Sequence, residues 1–488
     1  MAEGKKTMGT PYLGDNYGPI RHEHTVGELS VTGTIPPHLT GRYLRNGPNP
    51  VAEADPDTYH WFMGDGMVHG VRLREGKALW YRNRWVRTPA VAAALGEPIP
   101  PHRAGMVDVL GANTNVIGHA GRTIALVEGG VANYELTDEL DTVGPCDFDG
   151  TLPGGYTAHP KRDPDTGELH AVSYYFGWGN RVQYSVIDTA GHARRTVDIE
   201  VTGSPMMHDF SLTQNHVVLY DLPVTFDARQ AVCTRIAPLR APARLLVSSL
   251  IGRVRVPDPI AALAARRSLA ANGRFPYRWN PDYPARIGVM PRDGGSGDVR
   301  WFDIDPCYVF HTLNAYDEGD TIVLDVARHP KTFATHFDGP GEGMITLDRW
   351  VVDLNAGKVI QSRIDDRSQE FPRVDERLIG RRHRYGYSIA FPEPGAAPDT
   401  LLKHDLSRGT TTSRTFGRGT QVGEFVFEPN AADAGEDEGV LMGLVYDAAT
   451  DRSDLVLLDA GTLDTVAAIH LPTRVPHGFH GNWIPDQN

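Results

Sequence analysis

From end to end this chain is written as short strand-like runs that break into a Gly, Asn or Asp turn and run straight back. No other feature constrains its fold as much. NTNVIGHAGRTIALVE, WVVDLNAGKVIQSRI and VYDAATDRSDLVLLDAGTLDTVAAIHL each read as strand, turn, strand. The 52 Gly and 36 Pro supply turns at a density that suits all-β architecture. Few segments carry a helical period. A long all-β chain must hide its sheet edges, and radial repetition of small sheets is one way to do so. WD-type and kelch-type signatures are absent, so blades cannot be counted from motifs. No linker-like tract divides residues 1–488, which read as one domain. A propeller escapes the usual limit on domain length because it grows by adding blades.

Charge and cysteine usage narrow the class. A net charge of −13 disfavours a general nucleic-acid binder. Cys146, Cys233 and Cys307 are few, odd in number and share no motif, which argues against a disulfide framework and suits a reducing cytosol. The N-terminus has no apolar signal-peptide core, and no run approaches the roughly 18 apolar residues of a spanning helix. The expectation is a soluble, cytoplasmic protein.

One stretch departs from the hairpin pattern. Residues 230–277 are rich in Ala, Leu and Arg and hold a single acid, Asp258. Two readings stand side by side. The stretch is either a helical cap packed on the β body, with Arg stems lying over it, or a membrane-facing patch that admits a lipophilic substrate. In the second reading Leu245, Leu246, Leu250 and Ile251 form the contact, and the protein is peripherally membrane-associated.

Within the hairpins, histidines recur in one setting. His159, His208 and His311 each open a short apolar strand that runs into a tight turn and back out, and His480 lies near the end of the chain. On a repeated unit such residues would converge on one axis. Most of the chain's 20 His must be ordinary surface or hydrogen-bonded residues, so no single one carries the argument. The shared position does, because imidazole is the commonest transition-metal ligand. Neither Cys pairs nor HxxxH spacing point to a zinc site.

Eight segments resemble the carotenoid cleavage oxygenase family and follow its order: GRYLRNGPNP, HWFMGDGMVHGVRL, TAHPKRDP, MMHDFSLT, FHTLNAY, EFPRVDERLIGRRHRYGY, GEFVFEP and PHGFHGNW. One such motif would be weak evidence; eight in order are specific. The resemblance implies a seven-bladed β-propeller with a helical cap over the metal-centre face. It implies non-haem Fe(II) held by His159, His208, His311 and His480, with Glu128, Glu370 and Glu424 hydrogen-bonded behind the rings. Thr114, in ANTNVI, matches a family position whose methyl crowds one open site on the iron. His477 competes with His480, and the GFHG motif selects His480. His69 is read as structural.

The chemistry agrees with that ligand set. Four neutral imidazoles leave the ion its full charge, and an iron with open positions can take O2. Each ring needs a partner on its other nitrogen, usually a carboxylate. The expected reaction is O2-dependent cleavage of a C=C bond in a carotenoid or apocarotenoid, giving two carbonyl products. Two relatives within the family are alternatives: a lignostilbene-type dioxygenase and a retinoid isomerase. In the stilbene-cleaving branch a Lys that holds the substrate phenol directly precedes the first of the three Glu. Val127 stands there in this chain and favours a polyene. From other classes, a calcium-dependent lactonase-like propeller would need oxygen ligands. A non-catalytic carotenoid-binding module would need no metal ligands at all.

Overall fold

The structure is a computed structural model that describes residues 10–99, 111–152, 155–227, 253–256, 275–337, 339–393 and 396–486. Its hairpins assemble as read. Polar turns such as Asp317–Asp320, where Gly319 takes φ +60° without a Cβ penalty, return each strand onto its neighbour. Successive antiparallel strands then build seven sheets of four or five strands, the blades of a propeller.

Blade 1 holds Asn115–His119, Arg122–Leu126, Asn133–Leu136 and Thr142–Cys146. Blade 2 holds Lys161–Arg162, Leu169–Tyr174, Arg181–Ile187 and Ala193–Glu200. Blade 3 runs Ser211–Leu212, His216–Asp221, Arg286–Pro291 and Arg300–Asp303; blade 4 runs Tyr308–Glu318, Thr321–His329, Thr346–Asp353 and Lys358–Asp365. Blade 5 runs Gln369–Arg373, Tyr385–Ala390, Thr400–Asp405 and Thr410–Thr415. Blade 6 runs Thr420–Pro429, Gly439–Asp447, Arg452–Asp459 and Thr465–His470, with Val31–Gly33 at its outer edge. Blade 7 closes the ring: the C-terminal Gly481–Pro485 is its innermost strand and pairs with Gly41–Pro48, followed outward by Gly66–Arg74, Lys77–Trp85 and Thr25–Gly27.

Burial follows the radial order. Strands near the axis, such as Leu169–Tyr174, are buried throughout, whereas the outermost strand of blade 2, Ala193–Glu200, alternates exposed residues with half-buried ones and buries only Ile199. The apolar core therefore lies between blade faces, each cluster drawing on adjacent blades. Tyr43, Val71 and Tyr81 of blade 7 pack with Met442, Leu455 and Leu457 of blade 6.

The expected insertion leaves blade 3 between its second and third strands. Val224–Phe226 pairs with Tyr277–Trp279 at its base. Of residues 230–277 only 253–256 and 275–277 are described, so the expected cap and the patch Leu245, Leu246, Leu250 and Ile251 fall outside the described residues. Among the described residues the only α-helix is the seven-residue Pro89–Leu95, capped by Thr88, and no helix is long and apolar enough to cross a membrane.

Closure of the ring rests on the last strand, where Trp483 faces Tyr43 across the ladder and is 9% exposed. Trp483→Ala should cost about 3–5 kcal/mol, the range for emptying a buried aromatic site. Ile360→Ala on the outermost strand of blade 4, where the side chain is 53% exposed, should cost less than about 0.5 kcal/mol. Urea unfolding midpoints of the two variants check this.

Candidate metal centre

The innermost strand of every blade brings one of the expected residues to the axis. Thr114 precedes Asn115–His119, His159 precedes Lys161–Arg162, and His208 precedes Ser211–Leu212. His311 lies within Tyr308–Glu318, Glu370 within Gln369–Arg373 and Glu424 within Thr420–Pro429, while His480 directly precedes Gly481–Pro485. Three of these strands break register at the functional residue. Blade 4 shifts between Val309 and Thr312, blade 5 between Glu370 and Arg373, and blade 6 between Val422 and Phe425. A bulge of this kind re-aims a side chain that regular pleating would turn away. At blade 5 the strain is explicit: Phe371 takes φ +54°, costly for a bulky side chain, and its ring stacks on His311 at 5.3 Å.

His159, His208, His311 and His480 are all buried, and one ring nitrogen of each lies within 4.8 Å of those of the others. Behind them stand the three expected carboxylates. His208 Nδ1 donates to Glu128 Oε1 at 2.5 Å, His311 Nδ1 to Glu370 Oε2 at 2.6 Å, and His480 Nδ1 to Glu424 Oε1 at 3.0 Å. His159 makes no such pair among the described residues. Glu128 is reached from blade 1 by a different device, the Gly129–Gly130 turn that follows it. Both glycines have positive φ, and a Cβ on Gly130 would run into the Tyr175 ring.

Those donations decide what the inner nitrogens are. With Nδ1–H committed to a carboxylate, Nε2 of His311 and of His480 carry lone pairs, yet they face each other at 3.0 Å; His159 and His208 repeat the spacing. A proton could bridge one pair, but a metal ion satisfies all four nitrogens at once. The donor set therefore fits a cation that accepts imidazole.

Electrostatics keep the site ready for a cation. Burial, reinforced by the neighbouring imidazoles, holds His159 well below its usual range, and burial lowers His480 to about 4. At His311 burial acts downward too, but the Glu370 carboxylate outweighs it and the net shift is upward. Burial alone would raise Glu424; Arg373 and then His480 lower it to about 2. Glu370 is likewise held far below the carboxylate range by His311 and His329 despite its burial.

Further contacts complete the arrangement. Glu370 Oε1 accepts from His329 Nε2 at 2.8 Å, so one carboxylate fixes two imidazoles. Arg373 Nη1 lies 3.6 Å from Glu424 Oε1. Thr114 is held through its backbone, donating to Leu126 O and accepting from His480 N, each at 3.0 Å, while its hydroxyl donates to Asn113 Oδ1. His329, in VARHP, carries no signal beyond lying four residues beyond a buried Asp, and only the fold reveals its place. The two histidines set aside do stand apart. His477 Nε2 donates to Gln421 Oε1 at 2.6 Å, and His69 Nδ1 lies 2.9 Å from the Tyr81 hydroxyl.

Above the imidazoles lies an apolar cavity of about 860 Å³, bordered near the site by Thr114, Val127, Phe310, Phe371 and Phe479. Its polar features include the imidazoles and carboxylates already described, tyrosines such as Tyr174, and His336, Glu342 and Ser368 farther along the wall. Burial, then the Glu128 carboxylate, pushes the Tyr174 phenol well above its usual range.

Comparison with known proteins places this architecture. The family described as retinal pigment epithelial membrane protein matches residues 17–485. A carotenoid cleavage oxygenase of Mycobacterium tuberculosis is 60% identical over 490 residues, covering 97% of each chain. Carotenoid 9,10(9',10')-cleavage dioxygenase 1 of Arabidopsis thaliana is 29% identical and covers 98% of this chain and 90% of its own. Among solved structures, the lignostilbene dioxygenase of Pseudomonas brassicacearum superposes with a TM-score of 0.80 at 28% identity, covering 98% of this chain and 99% of that one. The cobalt-substituted Synechocystis ACO superposes with a TM-score of 0.79 at 27% identity, covering 96% and 97%. The fold and site define a propeller that gathers four imidazoles on its axis. This chain belongs to the carotenoid cleavage oxygenase family.

The depressed value of Glu424 sets a sign for acid stability. A carboxyl lowered from 4.5 to about 2 contributes stability that is complete above its unfolded value and is lost as pH falls through that window. In metal-free protein, Glu424→Gln should flatten the loss of stability between about pH 5 and about pH 3. Urea titrations at the two pH values measure it, and equal losses in parent and variant would contradict the assignment.

Proposed function

We propose that this protein is an Fe(II)-dependent dioxygenase that cleaves a C=C bond of a carotenoid or apocarotenoid to two carbonyl products, with the whole chain acting as one propeller domain. The observation that carries the proposal is a cluster of four converging imidazoles, three of which, His208, His311 and His480, line the floor of a large apolar cavity. Fe(II) held by His159, His208, His311 and His480 would supply the activation of O2. The protein's own residues do the rest. Glu128, Glu370 and Glu424 hold three rings with their Nε2 lone pairs on the axis and offset the charge of the ion. The methyl of Thr114 narrows the space on the cavity side of the imidazoles. Phe310, Phe371 and Phe479 exclude water and offer a flat apolar bed to a conjugated chain. Apolar walls select which double bond reaches the imidazoles, and no side chain is needed as a proton donor.

Val127, buried beside Glu128 on the cavity wall, favours a polyene over a hydroxystilbene, since it offers a phenolate nothing to bind. The decisive experiment incubates Fe(II)-loaded protein with a carotenoid, an apocarotenoid and a hydroxystilbene, under O2 and under N2, and identifies products by mass spectrometry. Aldehydes from the polyenes that vanish under N2 are expected. Cleavage of the stilbene alone would transfer the protein to the other branch, and geometric isomerisation without cleavage would make it an isomerase. His208→Ala should remove both iron and turnover while leaving the circular dichroism of the sheets unchanged. Full activity without iron would end the metal reading.

The protein is read as cytoplasmic, taking its lipophilic substrate from a membrane surface. Phe337 and Met344, 44% and 52% exposed, flank cavity-lining residues of the loop 335–343, and Val254 of the insertion is 52% exposed. The double variant Phe337→Ser, Met344→Ser should weaken liposome sedimentation without changing iron content. Unchanged sedimentation would reduce these side chains to scattered surface apolars.

A further inference from the structure

Two cavities meet at the four imidazoles, and they differ in charge. The polar one, of about 800 Å³, lies where the inner strands end and is lined by seven Arg and Lys side chains, among them Lys161, Arg162 and Arg373. The apolar one lies where those strands begin and has no Arg or Lys on its walls. Histidines apart, its charged groups are four carboxylates. Glu128, Glu370 and Glu424 are engaged with imidazoles, and the fourth, Glu342, stands on the loop 335–343.

The apolar cavity also holds a phenol, Tyr17, whose hydroxyl makes no hydrogen bond among the described residues. Its ring is firmly placed. It sits in the short helical turn Asp15–Tyr17, where Asn16 O accepts from His477 N at 2.7 Å. The ring meets His477 at 4.7 Å and Trp61 edge-on at 5.3 Å. Beyond the turn, Asn49 pins the chain by accepting from Ile20 N at 2.7 Å and donating to Ile20 O at 2.8 Å. Tyr17 is half-buried by area, yet burial pushes its phenol up to about 12. A hydroxyl that faces a cavity rather than open water shows both properties, and it remains a donor throughout the neutral range.

We infer that Tyr17 donates a hydrogen bond to a neutral oxygen function of the substrate, an aldehyde, ketone or alcohol, and so fixes which double bond lies over the imidazoles. The inference rests on the dioxygenase reading above. An unmatched O–H in an apolar cavity is a desolvated donor, which a carbonyl or hydroxyl oxygen satisfies and a hydrocarbon does not. A carboxylate accepts as well, but it would bring a charge into a cavity whose walls hold no Arg or Lys to offset it. It would also meet Glu342. The Oε1 of Glu342 accepts from Ala334 N, Thr335 N and His336 N at 2.8, 2.7 and 2.8 Å and so holds the loop in shape. A Cβ on Gly339 of that loop would collide with the Tyr12 hydroxyl, and the Tyr12 ring meets Tyr17 at 5.1 Å. Tyr17 and Glu342 therefore belong to one end of the cavity. From that end the rings lead inward, because Trp61 lies 4.6 Å from Phe479, the residue before His480. An oxygen held by Tyr17 would lay the conjugated chain along these rings and set its register at the imidazoles.

The test separates binding from turnover. Full-length protein is kept under N2, so that no substrate is consumed, and quenching of tryptophan fluorescence reports binding. The probes are four polyenes of equal length that end in an aldehyde, an alcohol, a carboxylate or a methyl group. In the parent the aldehyde and the alcohol should bind about tenfold tighter than the hydrocarbon, the upper range for one neutral hydrogen bond. The carboxylate should bind no tighter than the hydrocarbon. Tyr17→Phe keeps the ring against Trp61 and His477 and removes only a hydroxyl on which no described contact depends. It should weaken the aldehyde and the alcohol about tenfold and leave the hydrocarbon unchanged. Under O2 the same variant should spread cleavage of the aldehyde over more than one double bond. Equal weakening of all four polyenes, or of none, would overturn the contact. A single unchanged cleavage position would overturn its control of register, and a carboxylate bound as tightly as the aldehyde would overturn the preference for a neutral group. Binding ranked as expected with no cleavage under O2 would overturn the dioxygenase reading and uphold the Tyr17 contact. A parent that binds no polyene would overturn both.

Discussion

Everything in this structure depends on bringing ring nitrogens from four separate strands within a few ångströms of one another on the propeller axis. Neutral imidazoles do not attract each other, and two bare Nε2 atoms at 3.0 Å repel. The arrangement holds because other forces outweigh that repulsion. Interblade apolar packing fixes the strands, and buried carboxylates fix the rings. A cation that accepts all four nitrogens would turn that repulsion into coordination. The carboxylates incur a desolvation cost themselves, which the imidazoles, Arg373 and backbone N–H groups offset.

The price of this convergence is irregular backbone. Ideal strands alternate their side chains, and a radial array of ideal strands would send half of the inner residues into the blade faces. Register shifts at His311, Glu370 and Glu424, and the positive φ of Phe371, are the departures that turn these side chains to the axis. They cluster at the site, where strain is tolerated because the surrounding sheets over-determine the chain path. The partition between an apolar and a polar cavity follows from the same geometry. The two ends of the inner strands open on opposite faces, and their side chains differ in kind.

Much of this was legible in the residues. The turn density and hairpin spacing are local properties, since a Gly at positive φ or an Asp beside a turn acts within a few residues. The all-β propeller follows from them together with the need to hide edges. The four histidines and three glutamates were marked by the motifs around them, and the structure gathers all seven. His329 was not legible: it shares Glu370 with His311, a relation between strands that local sequence does not encode. Arg373 was visible only as part of a motif, and its role beside Glu424 needed the packing of blades 5 and 6. The competition between His477 and His480 is settled by distance, because His477 meets Gln421 and not the axis.

By itself the sequence determined the class of fold and marked the residues that converge on the axis, because turn chemistry acts locally and the motifs that carry those residues are contiguous. Tertiary structure alone decided which nitrogen of each imidazole faces the axis, which carboxylate serves two rings, and that one metal site separates two unlike cavities. Those depend on distances between strands hundreds of residues apart, as between Thr114 and His480, and such distances exist only once the ring has closed.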